Sequence, residues 1–219
     1  MEILGYGAVA MLAYLLGSLP TGYLVARAKG IDIRSVGSGN IGATNVFRIL
    51  GKPAGVFVLA TDALKGYAAC RCLPALVAQL FGAAGRSDAP SLEWAAVVAG
   101  LLAVLGHNYT VWLRFKGGKG IATSAGVLIA LVPWALLTIL TIWLVVFAAS
   151  RYVSLASIAA AFSLPFAAWL VQRSSPGMIA ITAGMAILAI YKHKANIQRL
   201  LHGTESRIGA AKKNGGVAP

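Results

Sequence analysis

The sequence predicts an all-α fold, a polytopic bundle of helices that spans a membrane. Three observations carry that prediction. Only 11% of the 219 residues are charged and 58% are hydrophobic, whereas soluble domains carry about 25% charged residues. The mean hydropathy is +0.78. The apolar residues also fall into runs of the length, about 20 residues, that a helix needs to cross a bilayer.

The first run covers residues 3 to 26. No basic segment precedes it, so it is expected to be a retained span rather than a cleaved signal. It contains Gly17-Ser18-Leu19-Pro20-Thr21-Gly22, where Pro20 removes a backbone donor and can kink the helix. Such a break at membrane depth is tolerated where protein packs it or a cavity adjoins it. Arg27, Lys29 and Arg34 follow, which puts that end in the cytoplasm and the N-terminus outside.

Next comes the stretch on which the chain is organised, Gly37-Ser38-Gly39-Asn40-Ile41-Gly42-Ala43-Thr44-Asn45-Val46-Phe47-Arg48. Its glycines permit tight turns. Ser38, Asn40, Thr44 and Asn45 add short polar side chains, and Arg48 offers a planar fork suited to phosphate. Backbone N–H groups in such a loop can cradle an oxyanion. It is not a nucleotide-binding P-loop, because the G-x-x-x-x-G-K-[ST] order is absent.

Residues 53 to 81 form the second run. Asp62 and Lys65 lie on one face of it, three residues apart. Charges inside a span are costly and mark a site or a structural brace. Residues 82 to 90 form a polar outer connection, and residues 94 to 112 return inward. A second basic, glycine-rich loop follows, Phe115-Lys116-Gly117-Gly118-Lys119-Gly120-Ile121-Ala122-Thr123. It precedes an apolar helix, an arrangement that favours anions at a helix N-terminus.

Residues 121 to 150 are apolar with Pro133 in their middle, so they form one long tilted span or two joined near that proline. Arg151 ends them, residues 153 to 171 form another run, and residues 178 to 190 a last one before Tyr191-Lys192-His193-Lys194-Ala195-Asn196-Ile197. If Arg151 and Lys192 both face the cytoplasm, parity requires four crossings between residues 121 and 191. That makes seven spans, N-out and C-in; five spans with re-entrant segments are the alternative. Residues 1–205 are read as a single transmembrane domain, and residues 206–219 as a disordered basic cytoplasmic tail.

The charge excess, 19 Lys and Arg against 6 Asp and Glu for a net +13, sits at span edges. It suits cytoplasmic loops and anionic ligands, and with no DNA-reading motif no nucleic-acid partner is expected. Cys70 and Cys72 fit no metal pattern and read as packing residues. Neither a G-x-S-x-G elbow, a paired-carboxylate site nor an H-E-x-x-H zinc motif is present. What remains is a set of oxyanion holders: Arg48, Lys119, Asn40, Thr44, His193 and Asn196, with the Ser38 hydroxyl. These stabilise phosphate charge without a protein nucleophile, which suits an activated substrate and, in this setting, a lipid.

The polar stretches at residues 37–45, 115–123 and 193–197, taken in that order, resemble the signatures of the bacterial acyl-phosphate:glycerol-3-phosphate acyltransferases. The 17–22 patch and Ser154-Leu155-Ala156-Ser157-Ile158 are similar to that family as well. The resemblance implies a seven-span inner-membrane enzyme with a cytoplasmic active site. It would move a fatty acyl group from acyl phosphate to the 1-hydroxyl of sn-glycerol 3-phosphate, leaving lysophosphatidic acid and phosphate. It implies catalytic roles for Ser38, Arg48, Lys119, His193 and Asn196. Substrate binding would fall to Asn40, Thr44, Gly117, Gly120, Ser154 and Ser157, and Glu205 would be a structural acid. It implies no cofactor and no metal. The implied partners are glycerol 3-phosphate, acyl phosphate, membrane lipid and the enzyme that makes acyl phosphate. A competing class is a transporter for phosphate or an organic phosphate, which basic loops and broken helices also suit.

Overall fold

The computed structural model describes residues 2–80 and 92–209. The expected outer connection at residues 82–90 and the tail from residue 210 lie outside them. Among the described residues the chain is all-helical. Its helices are α1 (Glu2–Ser18), α2 (Thr21–Arg27), α3 (Ala43–Leu50), α4 (Lys52–Leu80) and α5 (Leu92–Asn108). After a 3-10 turn at Val111–Leu113 come α6 (Ile121–Leu131), α7 (Pro133–Ser150), α8 (Val153–Leu170), α9 (Pro176–Lys192) and α10 (Lys194–Leu201).

Among the described residues four segments are long and apolar enough to cross a membrane: Ile3–Arg27, Leu92–Leu113, Pro133–Ser150 and Val153–Leu170. With 29 residues α4 is roughly 43 Å long, but it carries Lys52, Asp62, Lys65 and Arg71. The α6 and α9 helices are shorter apolar helices. Pro20 divides the first run, ending α1 at Ser18 and restarting the chain as α2. Pro133 likewise divides residues 121–150 into two helices, so one long tilted helix is ruled out. Pro133 takes the first position of α7, where its missing N–H has no intrahelical partner to lose.

Glycines set the closest helix approaches. A Cβ at Gly17 would overlap the Ala103 carbonyl and one at Gly106 the Tyr14 carbonyl, which seats α1 on α5. Gly66 against Thr123 and Gly126 against Ala63 seat α4 on α6 in the same way. Small residues at such crossings replace the hydrophobic driving force that lipid does not supply. Outward faces carry Trp134, Leu137, Leu144 and Val145 on α7 and Phe162, Phe166 and Trp169 on α8, all exposed.

The organising stretch is not a plain loop: its second half winds into α3, an amphipathic helix that buries Val46 and half-buries Arg48. Residues just past 205 pack on the start of α8. The Ile208 N–H donates to the Arg151 carbonyl at 3.0 Å, and the Arg207 guanidinium stacks 4.8 Å over the Tyr152 ring.

Candidate active site

The first wall of the site is the Ser38 loop, and Asn45 holds it. Asn45 is buried in the first turn of α3. Its amide donates to the carbonyls of Ile33 (3.2 Å), Val36 (3.1 Å) and Asn40 (2.9 Å), and its Oδ1 accepts the Ser38 N–H at 2.9 Å. Gly37 turns the chain at φ +61 directly over that oxygen, where a Cβ would collide with it. Asn40 Oδ1 accepts the Gly42 N–H at 2.8 Å, a turn that starts α3. Arg48, on the last turn of α3, donates to the Ser206 carbonyl at 3.2 Å.

The second wall is the loop before α6. The Gly117 N–H donates to the Asn108 carbonyl (3.2 Å) and the Gly118 N–H to the His107 carbonyl (3.0 Å), so the loop is moulded on the end of α5. Gly120, at φ +77, then turns the chain into α6. Lys119 lies between these anchors, and its ammonium donates to Asn196 Oδ1 at 2.5 Å. Burial, with further repulsion from Arg199 and Arg48, pushes the Lys119 ammonium down to about 8, although Glu205 opposes the shift. Arg48 is drawn down by its own burial and, as a guanidinium, keeps its charge throughout.

The third wall is the α9–α10 junction. His193 is buried, and its Nδ1 lies 2.8 Å from the Ala189 carbonyl. A carbonyl only accepts, so Nδ1 carries the proton and Nε2 keeps its lone pair. Burial and the neighbouring Lys119 push this imidazole down to about 4, so it is neutral at physiological pH. Asn196 joins the walls: it accepts from Lys119 and donates to Glu205 Oε1 at 2.7 Å. Glu205 Oε1 also accepts the Ser154 hydroxyl at 2.8 Å, and Oε2 pairs with Arg199 Nε at 2.7 Å. Burial would raise the Glu205 carboxyl, but bonds from Arg199, Asn196 and Ser154 outweigh it and hold the group below its usual value.

These walls enclose one cavity of about 480 Å³, in the range of ordinary ligand sites. Its polar end is lined by Ser38, Asn40, Thr44, Arg48, Lys119, Gly120, Ser154, His193, Asn196 and Glu205; its shaft is lined by Leu136, Ile139, Leu164 and Met185. Every sequence-predicted site residue therefore reaches the cavity except Gly117, which packs against the end of α5 instead. Ser157 reaches it lower down, where its hydroxyl accepts from Trp143 Nε1 at 3.2 Å.

The family model for glycerol-3-phosphate acyltransferase matches residues 7–203. The chain belongs to the glycerol-3-phosphate acyltransferase family. A relative of that name from Geobacter sulfurreducens is 46% identical over 91% of this chain and 95% of its own length. Another, from Desulforudis audaxviator, is 49% identical over 97% of this chain and its full length. Among solved structures, the crystal structure of PlsY, an integral membrane glycerol 3-phosphate acyltransferase, in its glycerol 3-phosphate form superposes with a TM-score of 0.78. The two are 42% identical over 92% of this chain and 94% of PlsY. The lysophosphatidic acid form gives 0.76 at 41% identity over the same shares.

As a glycerol-3-phosphate acyltransferase, the chain is an integral membrane enzyme of phospholipid synthesis rather than a phosphate transporter. Sequence reasoning gave no role at the site to Asn45 or His107 and left Asp62 open between site and structural brace. Asn45 shapes the Ser38 loop, and Asp62 and His107, far apart in sequence, line the cavity together. Asn45 had one legible signal: it is an Asn, a residue that prefers caps and turns, directly after the glycine-rich turn and before an apolar run.

Proposed function

We propose that the chain transfers a fatty acyl group from acyl phosphate to the 1-hydroxyl of sn-glycerol 3-phosphate, with lysophosphatidic acid and phosphate as products. The observation that carries this reading is the form of the cavity: a polar end of cations, amides and hydroxyls opens into an apolar shaft, as an acyl donor with a phosphate head requires. Arg48, Lys119 and the N-terminal N–H groups of α6 hold the phosphates of donor and acceptor, assisted by Ser38, Asn40 and Thr44. The acyl tail takes the shaft between α7, α8 and α9. The acceptor hydroxyl oxygen attacks the acyl carbonyl carbon, the bond from that carbon to the phosphate oxygen breaks, and the hydroxyl proton leaves on the phosphate. His193, neutral with Nε2 free to accept, orients the hydroxyl. An imidazole near 4 is a weak base at neutral pH, so the leaving phosphate is the better proton acceptor. Such a site accelerates by positioning and charge stabilisation. Loss of one oxyanion donor in comparable sites costs about 10²–10³ in rate.

The same reading makes residues 1–205 one transmembrane domain of seven spans, N-out and C-in, in the bacterial inner membrane with the site on the cytoplasmic side. The parity of the site supports this. The Ser38 loop, the Lys119 loop, Ser154 and the His193 junction line one cavity; leaving aside the eight-residue amphipathic α3, the helix pairs α4–α5, α6–α7 and α8–α9 separate each from the next. The α6 helix, with 11 residues, supplies only about 16 Å of rise, so it is the span on which seven rather than five depends.

The test is phosphate release by the purified protein in lipid, given palmitoyl phosphate and glycerol 3-phosphate, beside a palmitoyl-CoA control. Release that requires both substrates and yields lysophosphatidic acid supports the reaction. Turnover with palmitoyl-CoA in place of palmitoyl phosphate overturns the choice of donor. Labelling of a single cysteine placed at residue 134, which is exposed beside the α6–α7 turn, in a background without Cys70 and Cys72 and from each side of sealed vesicles, decides between seven and five spans.

A further inference from the structure

Asp62 and Lys65 are 2% and 5% exposed, and His107 beside them is 5% exposed. Lys65 Nζ lies 2.8 Å from Asp62 Oδ1 and donates at 2.8 Å to the carbonyl of Leu19, at the Pro20 break between α1 and α2. From that break α2 runs to the first wall: Gly22 packs so closely on the Ile41 carbonyl of the Ser38 loop that a Cβ there would overlap it. On the other side, Asp62 Oδ1 lies 3.6 Å from His107 Nδ1, a packed electrostatic contact longer than a hydrogen bond. The His107 ring fills the space a Gly118 Cβ would take, and its carbonyl holds the Gly118 N–H, one residue before Lys119. Asp62 and His107 also line the cavity. The pair thus sits between the two loops that supply the anion holders, with Lys65 hydrogen-bonded on one side and Asp62 packed against His107 on the other.

We propose that Asp62 and Lys65 are positioning residues for acyl transfer: Lys65 fixes the α1–α2 break behind the Ser38 loop, Asp62 fixes His107 behind the Lys119 loop, and their ion pair sets the spacing of the two. A charge pair inside a span is expensive, and an apolar pair of similar volume is often as stable or more so. Its defined geometry is what an apolar replacement does not reproduce. The role in catalysis rests on the proposed reaction; the spacing does not.

The experiment reads both. In a Cys72→Ser background (Cys70 is buried), nitroxides at Ser35→Cys and Lys116→Cys, both exposed loop positions, report the loop-to-loop distance in lipid nanodiscs by pulsed EPR. The KM for glycerol 3-phosphate, kcat and the thermal midpoint are measured on the same variants without labels. Lys65→Met is expected to broaden the distance distribution and raise the KM about tenfold or more, since misplacements near 1 Å have effects of that order and larger. The Asp62→Asn, Lys65→Met double variant leaves no unpaired charge. It is expected to regain the thermal midpoint while the distance stays broad and the KM high. A double variant that recovers KM together with midpoint overturns the proposal and leaves the pair a stability element. So does a narrow, parent-like distance in folded Lys65→Met. If the single charge variants do not accumulate, His107→Gln carries the test. It keeps the ion pair but removes the ring beside Gly118, and parent-like distance and KM there overturn the proposal as well. An inactive parent with a narrow distance distribution would sink the proposed reaction and not the role of the pair.

Discussion

On the proposed function, the alkaline limb of kcat/KM is expected to belong to Lys119, with Glu205 setting where it falls. Lys119 must be protonated to hold phosphate, and its ammonium stands at about 8 in the free protein. The phosphates of the substrates lose their second proton near pH 6, so they shape the acid side and leave the alkaline side to the protein. Glu205 is one hydrogen-bonded residue away: bonds of 2.5 Å and 2.7 Å run through Asn196. In series they put the two charges within about 7 Å, where an effective dielectric of about 20 gives about 2.4 kcal/mol of attraction. Water at the cavity mouth reduces that to roughly half, or about one pH unit. The sign follows directly: removal of the carboxylate charge destabilises the ammonium, so Glu205→Gln moves the limb down, from near 8 to about 7. Lys119→Arg retains its charge across the range and abolishes the limb, at a lower plateau because the fork does not fit the Asn196 bond. The assay is initial phosphate release at subsaturating substrate, about pH 6 to about 9.5. A limb unmoved in Glu205→Gln and still present in Lys119→Arg refutes the assignment.

Three further outcomes follow from the same geometry. Asn45→Ala leaves buried carbonyls and the Ser38 N–H without partners; it should cost about 2–4 kcal/mol of stability, read as a lower thermal midpoint in detergent, and raise the KM for glycerol 3-phosphate. Leu164→Trp fills the shaft: kcat/KM for palmitoyl phosphate should fall at least about tenfold while a short-chain acyl phosphate is spared, an overpacking effect read by comparing donors of two lengths. His193→Gln keeps an acceptor near the Nε2 position, so kcat should stay within about tenfold of the parent, whereas removal of a true general base costs about 10²–10⁴.

Much of this site was legible because its chemistry is local. Glycine, short polar side chains and a cation within a dozen residues are visible in the Ser38 and Lys119 stretches. Their common placement follows from counting crossings. Helix breaks at Pro20 and Pro133 were legible for the same reason, since proline acts at its own position. What escaped depends on contact between distant elements. Nothing in the run around Asp62 says that its neighbour is His107, 45 positions on, because hydropathy reports that a residue is inside a span and not what it faces. Gly117 is a different case. It shares its motif with Lys119, yet it lies off the cavity lining and its missing side chain makes room for the end of α5, a packing requirement that the motif alone does not reveal. The distinction has a mechanical consequence. Lys119 presents its ammonium to the cavity from a loop whose neighbours are held by backbone bonds to His107 and Asn108, and α5 is itself clasped by α1 and α4. Lys119, the cation proposed to hold phosphate, is therefore mounted on a closely crossed part of the bundle. The apolar shaft proposed for the acyl chain is lined instead by α7, α8 and α9, and α7 and α8 carry exposed apolar residues on their outer faces suited to lipid. Rigidity where charge is stabilised and access where a chain must slide in from the bilayer are assigned to different helices, and the glycines at 17, 66, 106 and 126 are what make the first of these possible.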